Sequence, residues 1–406
     1  MRSDLPRSIL SITAAFMLTG ALFAQTFQWE AKTSMPAPRW GASTFVINGK
    51  AYVLCGRSGA TDHTQMWQYD PVENSWTPKA SLPAQGRRLA TAFSANGHGF
   101  IGCGITGSST YLSDLWKYDP VADSWTQAAS FPPGPRYNTW QFVLNGIAYV
   151  GGGNSGGASG PFHNDAYQYN PITNTWSTGY AIPDQGRHGA IGFAMNGRGY
   201  VVCGRENSLQ FVQDFWCFDP QSNTWNALQS FAGSGRSSPL VFTYYNDVVV
   251  GCGRDGSINY YDAYIYEPTT NSWATIPDYP GATAMAGTSF SIGNRSFGGL
   301  GWDLATDLSH SDLWELVKPD QTAISEANAA DVIHVHPNPA DGMGFRIVAE
   351  NPGSVNATLI SSDGRVVRSW SFNGMSAVPQ HEITPGAYIL QWRQNGSVGT
   401  IKVIMQ

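Results

Sequence analysis

The chain has 406 residues, of which 13% are charged and 13% aromatic, with 45 glycines and a net charge of −6. Sparse charge beside abundant aromatics and glycine excludes a disordered tail or a coiled coil and points to strands and turns. Nothing supplies a field that neutralises phosphates, so a nucleic-acid partner is not expected.

Arg2 and Arg7 precede an apolar stretch from Ile9 to Ala24. A positive start, a short apolar core and a small residue before the cut predict a signal peptide over residues 1–24. Ser11, Thr13, Thr19 and Gly20 interrupt the stretch, which is shorter than the ~20 apolar residues of a stable span. The expectation is an exported monomer without a transmembrane span, secreted or held at the outer cell surface after passing the periplasm.

The middle of the chain repeats itself. Trp29, Trp76, Trp125, Trp176, Trp225 and Trp273 are spaced by 47, 49, 51, 49 and 48 residues, a period that means one supersecondary unit repeated. Arg39, Arg88, Arg136, Arg187 and Arg236 open successive units. About nine residues later come Asn48-Gly49, Asn96-Gly97, Asn145-Gly146 and Asn196-Gly197, pairs that accept the positive φ of a tight hairpin. A strand then ends in Cys55-Gly56, Cys103-Gly104, Gly152-Gly153, Cys203-Gly204 or Cys252-Gly253, and the next alternates aromatics before a proline, as in Trp116-Lys117-Tyr118-Asp119-Pro120.

This order of Arg, Asn-Gly, small pair, Tyr-Asp-Pro and Trp resembles the kelch motif from about Phe27 to Pro319. The resemblance implies an all-β propeller of four-stranded blades over residues 26–319. Five units run from Arg39 to Trp273. A sixth starts near Ala284 and stops at Pro319 without its Trp strand, while Phe27-Gln28-Trp29-Glu30-Ala31 stands alone at the front. The expectation is six blades, with the N-terminal strand completing the sixth and removing two free edges.

Residues 320–331 read as a polar linker, and residues 332–406 as a small β-sandwich with hairpins at Asp363-Gly364 and Asn395-Gly396. His336-Pro337-Asn338-Pro339-Ala340, Asp363-Gly364-Arg365-Val366-Val367, Pro385-Gly386-Ala387-Tyr388 and Lys402-Val403-Ile404-Met405 resemble the C-terminal sorting domain of type IX secretion cargo from Bacteroidota. That resemblance implies the type IX machinery as a partner.

Cys55, Cys103, Cys203 and Cys252 hold one repeat position, too far apart for bridges between blades, so free packing thiols are expected. No hydrolase or metal motif occurs, and no cofactor, metal ligand or catalytic residue is assigned. Residues 26–318 contain 11 Arg against 5 Lys. The opening arginines, together with Arg57, Arg205 and Arg254 after the small pairs, suit an anionic ligand at a channel mouth, because guanidinium forks match carboxylate and sulfate. Trp40, Tyr137, Trp140, His188 and Trp302 could add stacking faces. Asp114, Asp165, Asp214, Asp262 and Asp312 offer the opening arginines a structural alternative, tying blades together.

The functional expectation is a binding module for an anionic glycan, peptide or protein. The alternative is a carbohydrate-active kelch enzyme resembling sialate mutarotases, with Glu206 as the only acid to nominate, although that residue reads more readily as part of a solvated loop. A copper oxidase resembles the chain only in the blade motif.

Overall fold

The computed structural model describes residues 27–281, 285–303 and 305–318, and seven strands between residues 333 and 405. The signal peptide, the linker and position 284 fall outside the described residues. Thr26–Lys318 forms one compact unit, and the later strands belong to a second.

The first unit contains six four-stranded antiparallel sheets. In the first, Ser43–Ile47, Lys50–Leu54, Met66–Asp70 and Ser75–Lys79 follow one another, and the next four sheets repeat that order. The sixth takes Thr288–Ile292, Arg295–Asp303 and Leu308–Val317, then Gln28–Lys32 from the other end of the unit. Its register runs from Gln28 opposite Val317 to Lys32 opposite Leu313. The hairpin turns follow from Asn-Gly: Asn48, Asn96, Asn145 and Asn196 have φ of 49–51° and the glycines after them 73–78°, the conformation of a twisted two-residue turn.

Alternating side chains bury both faces of each sheet, so the core lies between sheets. Phe45, Tyr52 and Leu54 of the first pack with Ile101 and Tyr118 of the second. The same arrangement recurs along the series, and Phe290, Phe297 and Leu300 of the sixth pack on Ala51, Val53 and Tyr69 of the first. The periodic tryptophans are only half-buried. Each donates its indole N–H to a carbonyl one or two residues past the outer strand of the preceding sheet: Trp76 to Thr33, Trp125 to Ala80, Trp176 to Ala129, Trp225 to Tyr180 and Trp273 to Gln229, at 2.8–3.0 Å. Trp29 completes the set by donating to Pro277 at 3.0 Å.

In the second unit seven strands form one hydrogen-bonded order. Among the described residues the strand pairing that joins its two parts is that of Ala340 with Met405, in parallel. Ile347 of one part nevertheless shares a core with Val355, Leu359, Leu390, Trp392 and Val403 of the other.

Candidate functional site

The nominated residues separate into two tiers. Arg39, Arg136, Arg187 and Arg236 are fully buried, and so is Arg87. Each donates from Nη1 to the carbonyl sixteen residues on, at Cys55, Cys103, Gly152, Cys203 or Cys252, over 2.8–3.4 Å. Four also pair with a carboxylate: Arg87 with Asp114 at 2.6 Å, Arg136 with Asp165 at 2.5 Å, Arg187 with Asp214 at 2.7 Å and Arg236 with Asp262 at 2.6 Å. Arg39 meets Gln65 instead. These forks are occupied inside the wall.

Two sequence expectations change here. The second wall arginine is Arg87 rather than Arg88, and Trp140 is 3% exposed, stacked on Phe142 in the core instead of facing a ligand. The missed signal for Arg87 is the count itself. Asn48, Asn145 and Asn196 each follow the wall arginine by nine residues, and nine before Asn96 is Arg87. Asp312 has no such arginine; its Oδ2 accepts from Tyr279 and Trp314, and its Oδ1 is buried without a partner among the described residues.

Burial pushes the Asp114 carboxyl up, but the Arg87 fork and the Trp116 indole outweigh it and hold the group below the usual carboxylate range. A depressed folded-state value stabilises the fold above the unfolded carboxylate value of about 4, and that stabilisation is lost as pH falls through the folded value. Asp114→Asn is therefore expected to lower the urea midpoint at pH 7 and to flatten its decline below about pH 4. An acid limb as steep as that of the unsubstituted chain would contradict this.

The second tier surrounds one end of the inner strands. Immediately after the wall arginines stand Trp40, Tyr137, His188 and Ser237, with Arg88 and Met285 at the same place in the second and sixth sheets. They form bridges to Arg57, Asn154, Arg205, Arg254, Ile105 and Trp302 respectively in each sheet. The following residues, Gly41, Leu89, Asn138, Gly189, Ser238 and Ala286, all have φ between 47° and 67°. Their backbones link head to tail. Leu89 N–H donates to Gly41, Asn138 to Leu89, Gly189 to Asn138, Ser238 to Gly189, and Gly41 to Ala286, at 2.7–3.0 Å. A cavity of about 390 Å³ runs between the inner strands from this belt.

The rim chemistry is lopsided. Trp40 and Trp302 lie 6.2 Å apart, and Arg88 sits over Trp40 while pairing with Asp62 at 2.7 Å. Arg57 also reaches Asp62, at 3.5 Å, so this half is neutralised. On the fourth and fifth sheets Arg205 donates to Ala158 and Leu209 carbonyls, and Arg254 to the Gly256 carbonyl and the Met285 sulfur. Neither has a carboxylate partner among the described residues. Tyr111 stacks on Tyr137 at 5.4 Å, and His188 lies between Tyr137 and Phe162, 4.3 Å from the latter. Burial, and then the charge of Arg205, push His188 down to about 4, so it is neutral at pH 7. Its Nε2 is buried without a partner among the described residues.

Glu206 is 7% exposed, which corrects its reading as part of a solvated loop. It meets Arg187 at 3.1 Å, as does Asp184 at 2.8 Å. Burial raises its pKa, Arg187 opposes, and Asp184 and Asp214 raise it further. Asp184, Glu206 and Asp214 can bring carboxylate oxygens within 4.8 Å of one another, the one such grouping of acidic, His or Cys ligands among the described residues. The five cysteines are buried and unpaired. Burial pushes Cys55, Cys103 and Cys203 up to about 12, which keeps them protonated and inert as nucleophiles.

The kelch motif model matches residues 38–83 and 99–132. Those two stretches carry kelch motifs, and the four-stranded antiparallel sheets fit a kelch propeller. Among solved structures it is similar in fold to the one described as "Structure of YjhT", at 18% identity and a TM-score of 0.59, over 70% of this chain and 96% of that one. No curated protein matches the chain.

Proposed function

We propose that the protein is an exported six-bladed propeller, closed by its N-terminal strand, that binds an anionic glycan or peptide at the mouth built by the second tier. The pairing of Gln28–Lys32 with the last sheet, the packing of sheet six on sheet one and the Gly41 to Ala286 link support the closure. The front of the sequence supports export, and the motifs of residues 332–406 support delivery through type IX machinery, with either release or attachment at the cell surface.

One observation carries the binding reading: two guanidinium groups that make no ion pair among the described residues, Arg205 and Arg254, stand on the fourth and fifth sheets at the end of the unit where the first and sixth sheets bring Trp40 and Trp302 together. Such a rim anchors a negative group at one side and an apolar sugar face or aromatic side chain at the other. Arg57, Arg88, Tyr137 and His188 complete the rim. Arg39, Arg136, Arg187 and Arg236 act behind it, holding the backbone that carries it.

Calorimetric titration of the mature chain with uronic and sialic acids, neutral sugars and acidic peptides tests this. An acidic ligand should bind, and losing either arginine by Arg205→Ala or Arg254→Ala should weaken it about 10-fold or more, since a charge-assisted bond is worth about 1.5–3 kcal/mol. Stability should stay unchanged. Preference for a neutral ligand, or affinity indifferent to both substitutions, would contradict the reading.

Glu206 favours a second reading, an enzyme that moves a proton on a bound acidic sugar. Burial pushes its carboxyl above the usual carboxylate range, next in sequence to Arg205, and that is the direction a general acid needs. Isomerisation of the bound sugar that Glu206→Gln abolishes without loss of binding would establish turnover, and binding without isomerisation leaves the binding module.

A further inference from the structure

The hairpin end, opposite the mouth, carries another repeated feature in three of the six sheets. The residue that starts the second strand commonly offers a cation to an acid near the end of the third. Lys50 bonds Asp70 at 2.7 Å, Arg198 lies 3.2 Å from Asp219, and Arg295 reaches Glu315 at 2.6 Å. In the fifth sheet that starting place belongs to Asp247, and the strand register, with Val248 opposite Tyr266, sets it against Glu267. A carboxylate thus stands where three other sheets put a cation. No ion pair neutralises Asp247 among the described residues; Lys318, whose charge reaches it, lies over the Phe27 ring at 5.4 Å.

The turn beside it also breaks the repeat. Four sheets turn on Asn-Gly, but the fifth turns on Tyr245-Asn246, with Tyr245 at φ 55° and 60% exposed. A bulky residue pays a steric penalty in that region, so the position holds an exposed ring at some expense in stability. Tyr245, Asp247, Glu267, Asn196 and Thr269 line one cavity of about 590 Å³. Burial and the facing Glu267 both raise the Asp247 pKa, the behaviour of a carboxylate short of a counter-charge.

We propose that this cavity binds an organic cation, the guanidinium or ammonium group of a basic side chain, with Asp247 and Glu267 as counter-charges and the Tyr245 ring as a cation–π face. Three other sheets show the chemistry within the chain, since their own Lys or Arg occupies the corresponding place. An aromatic face favours an organic cation over a small, strongly hydrated metal ion. The site is independent of the mouth and of whatever binds there.

The probe is N-acetyl-arginine amide, titrated into the full mature chain and followed by NMR, with the peptide acetyl-Gly-Arg-Gly-amide, calcium chloride and a neutral disaccharide in parallel. The arginine probes should shift signals of residues 245–247 and 267. Asp247→Lys, which restores the cation of the first sheet, should weaken both at least about 10-fold without lowering the melting temperature, because it removes a like-charge repulsion. Asp247→Asn, which adds no charge, should weaken them by a smaller factor, and Tyr245→Asn several-fold. Tighter binding of the peptide assigns the cation to a polypeptide, and equal binding assigns it to a free small molecule. Arginine binding indifferent to Asp247→Lys, no arginine binding at all, or a response only to calcium or only to the disaccharide would overturn the proposal.

Discussion

Deleting residues 26–34 is expected to lower the melting temperature by about 10 °C or more, the largest effect of any short deletion outside the core. The segment supplies the fourth strand of the sixth sheet, pairing five residues with Leu313–Val317. Trp29 packs edge-on against Phe242 and Tyr279 and donates to Pro277, while Lys32 meets Glu315 at 2.9 Å. Loss of a fully buried Trp costs about 3–5 kcal/mol, and half-buried Trp29 contributes part of that. The deletion also bares the long edge strand Leu308–Val317, so aggregation on heating should increase. A melting temperature within about 2 °C of the full chain would show that the strand does not hold the last sheet.

Arg236→Ala is expected to cost about 3 kcal/mol, where Arg205→Ala costs less than about 1. Arg236 is fully buried, donates to Cys252 and Asp262, and lies over Phe231 and Tyr260 at 4.7 and 4.1 Å. Its removal leaves a buried carbonyl unpaired and a cavity between two aromatic rings. The Asp262 side chain is 31% exposed, so water takes over part of its hydration and the loss stays at the lower end for a broken buried pair. Arg205 gives up only carbonyls of rim loops. Urea unfolding of both variants measures the contrast, and equal losses would erase the distinction between wall and rim.

The sheets were legible because their signals are local: Asn-Gly turns, alternating aromatics and a period of about fifty residues. The stray Trp29 segment was legible because the sixth unit lacks the strand that Trp29 resembles. Which tier each arginine joins was much harder to read. Arg87 and Arg88 are adjacent, both basic, and differ only in which side of an extended backbone they leave, so a count of nine to Asn96 decides what composition cannot. Burial of Glu206 was invisible for a related reason. Its environment comes from Asp184 and Asp214, 22 residues before it and 8 after it in sequence, and only the pairing of Arg187 with Glu206 brings the three acids together. That Arg205 and Arg254 make no ion pair among the described residues likewise depends on loops whose acids, such as Asp255, accept a hydrogen bond from Tyr260 instead.

Everything proposed for the mouth rests on the six inner strands meeting around one axis, and amide hydrogen exchange on the intact chain tests that most directly. The N–H of Gly41, which donates to Ala286 across the first and last sheets, is expected to exchange as slowly as those of Leu89, Asn138, Gly189 and Ser238, which make the same link between consecutive sheets. Exchange at Gly41 that is 100-fold or more faster than at the other four, a gap of about 2.7 kcal/mol in opening free energy, would mean that the circle is not closed.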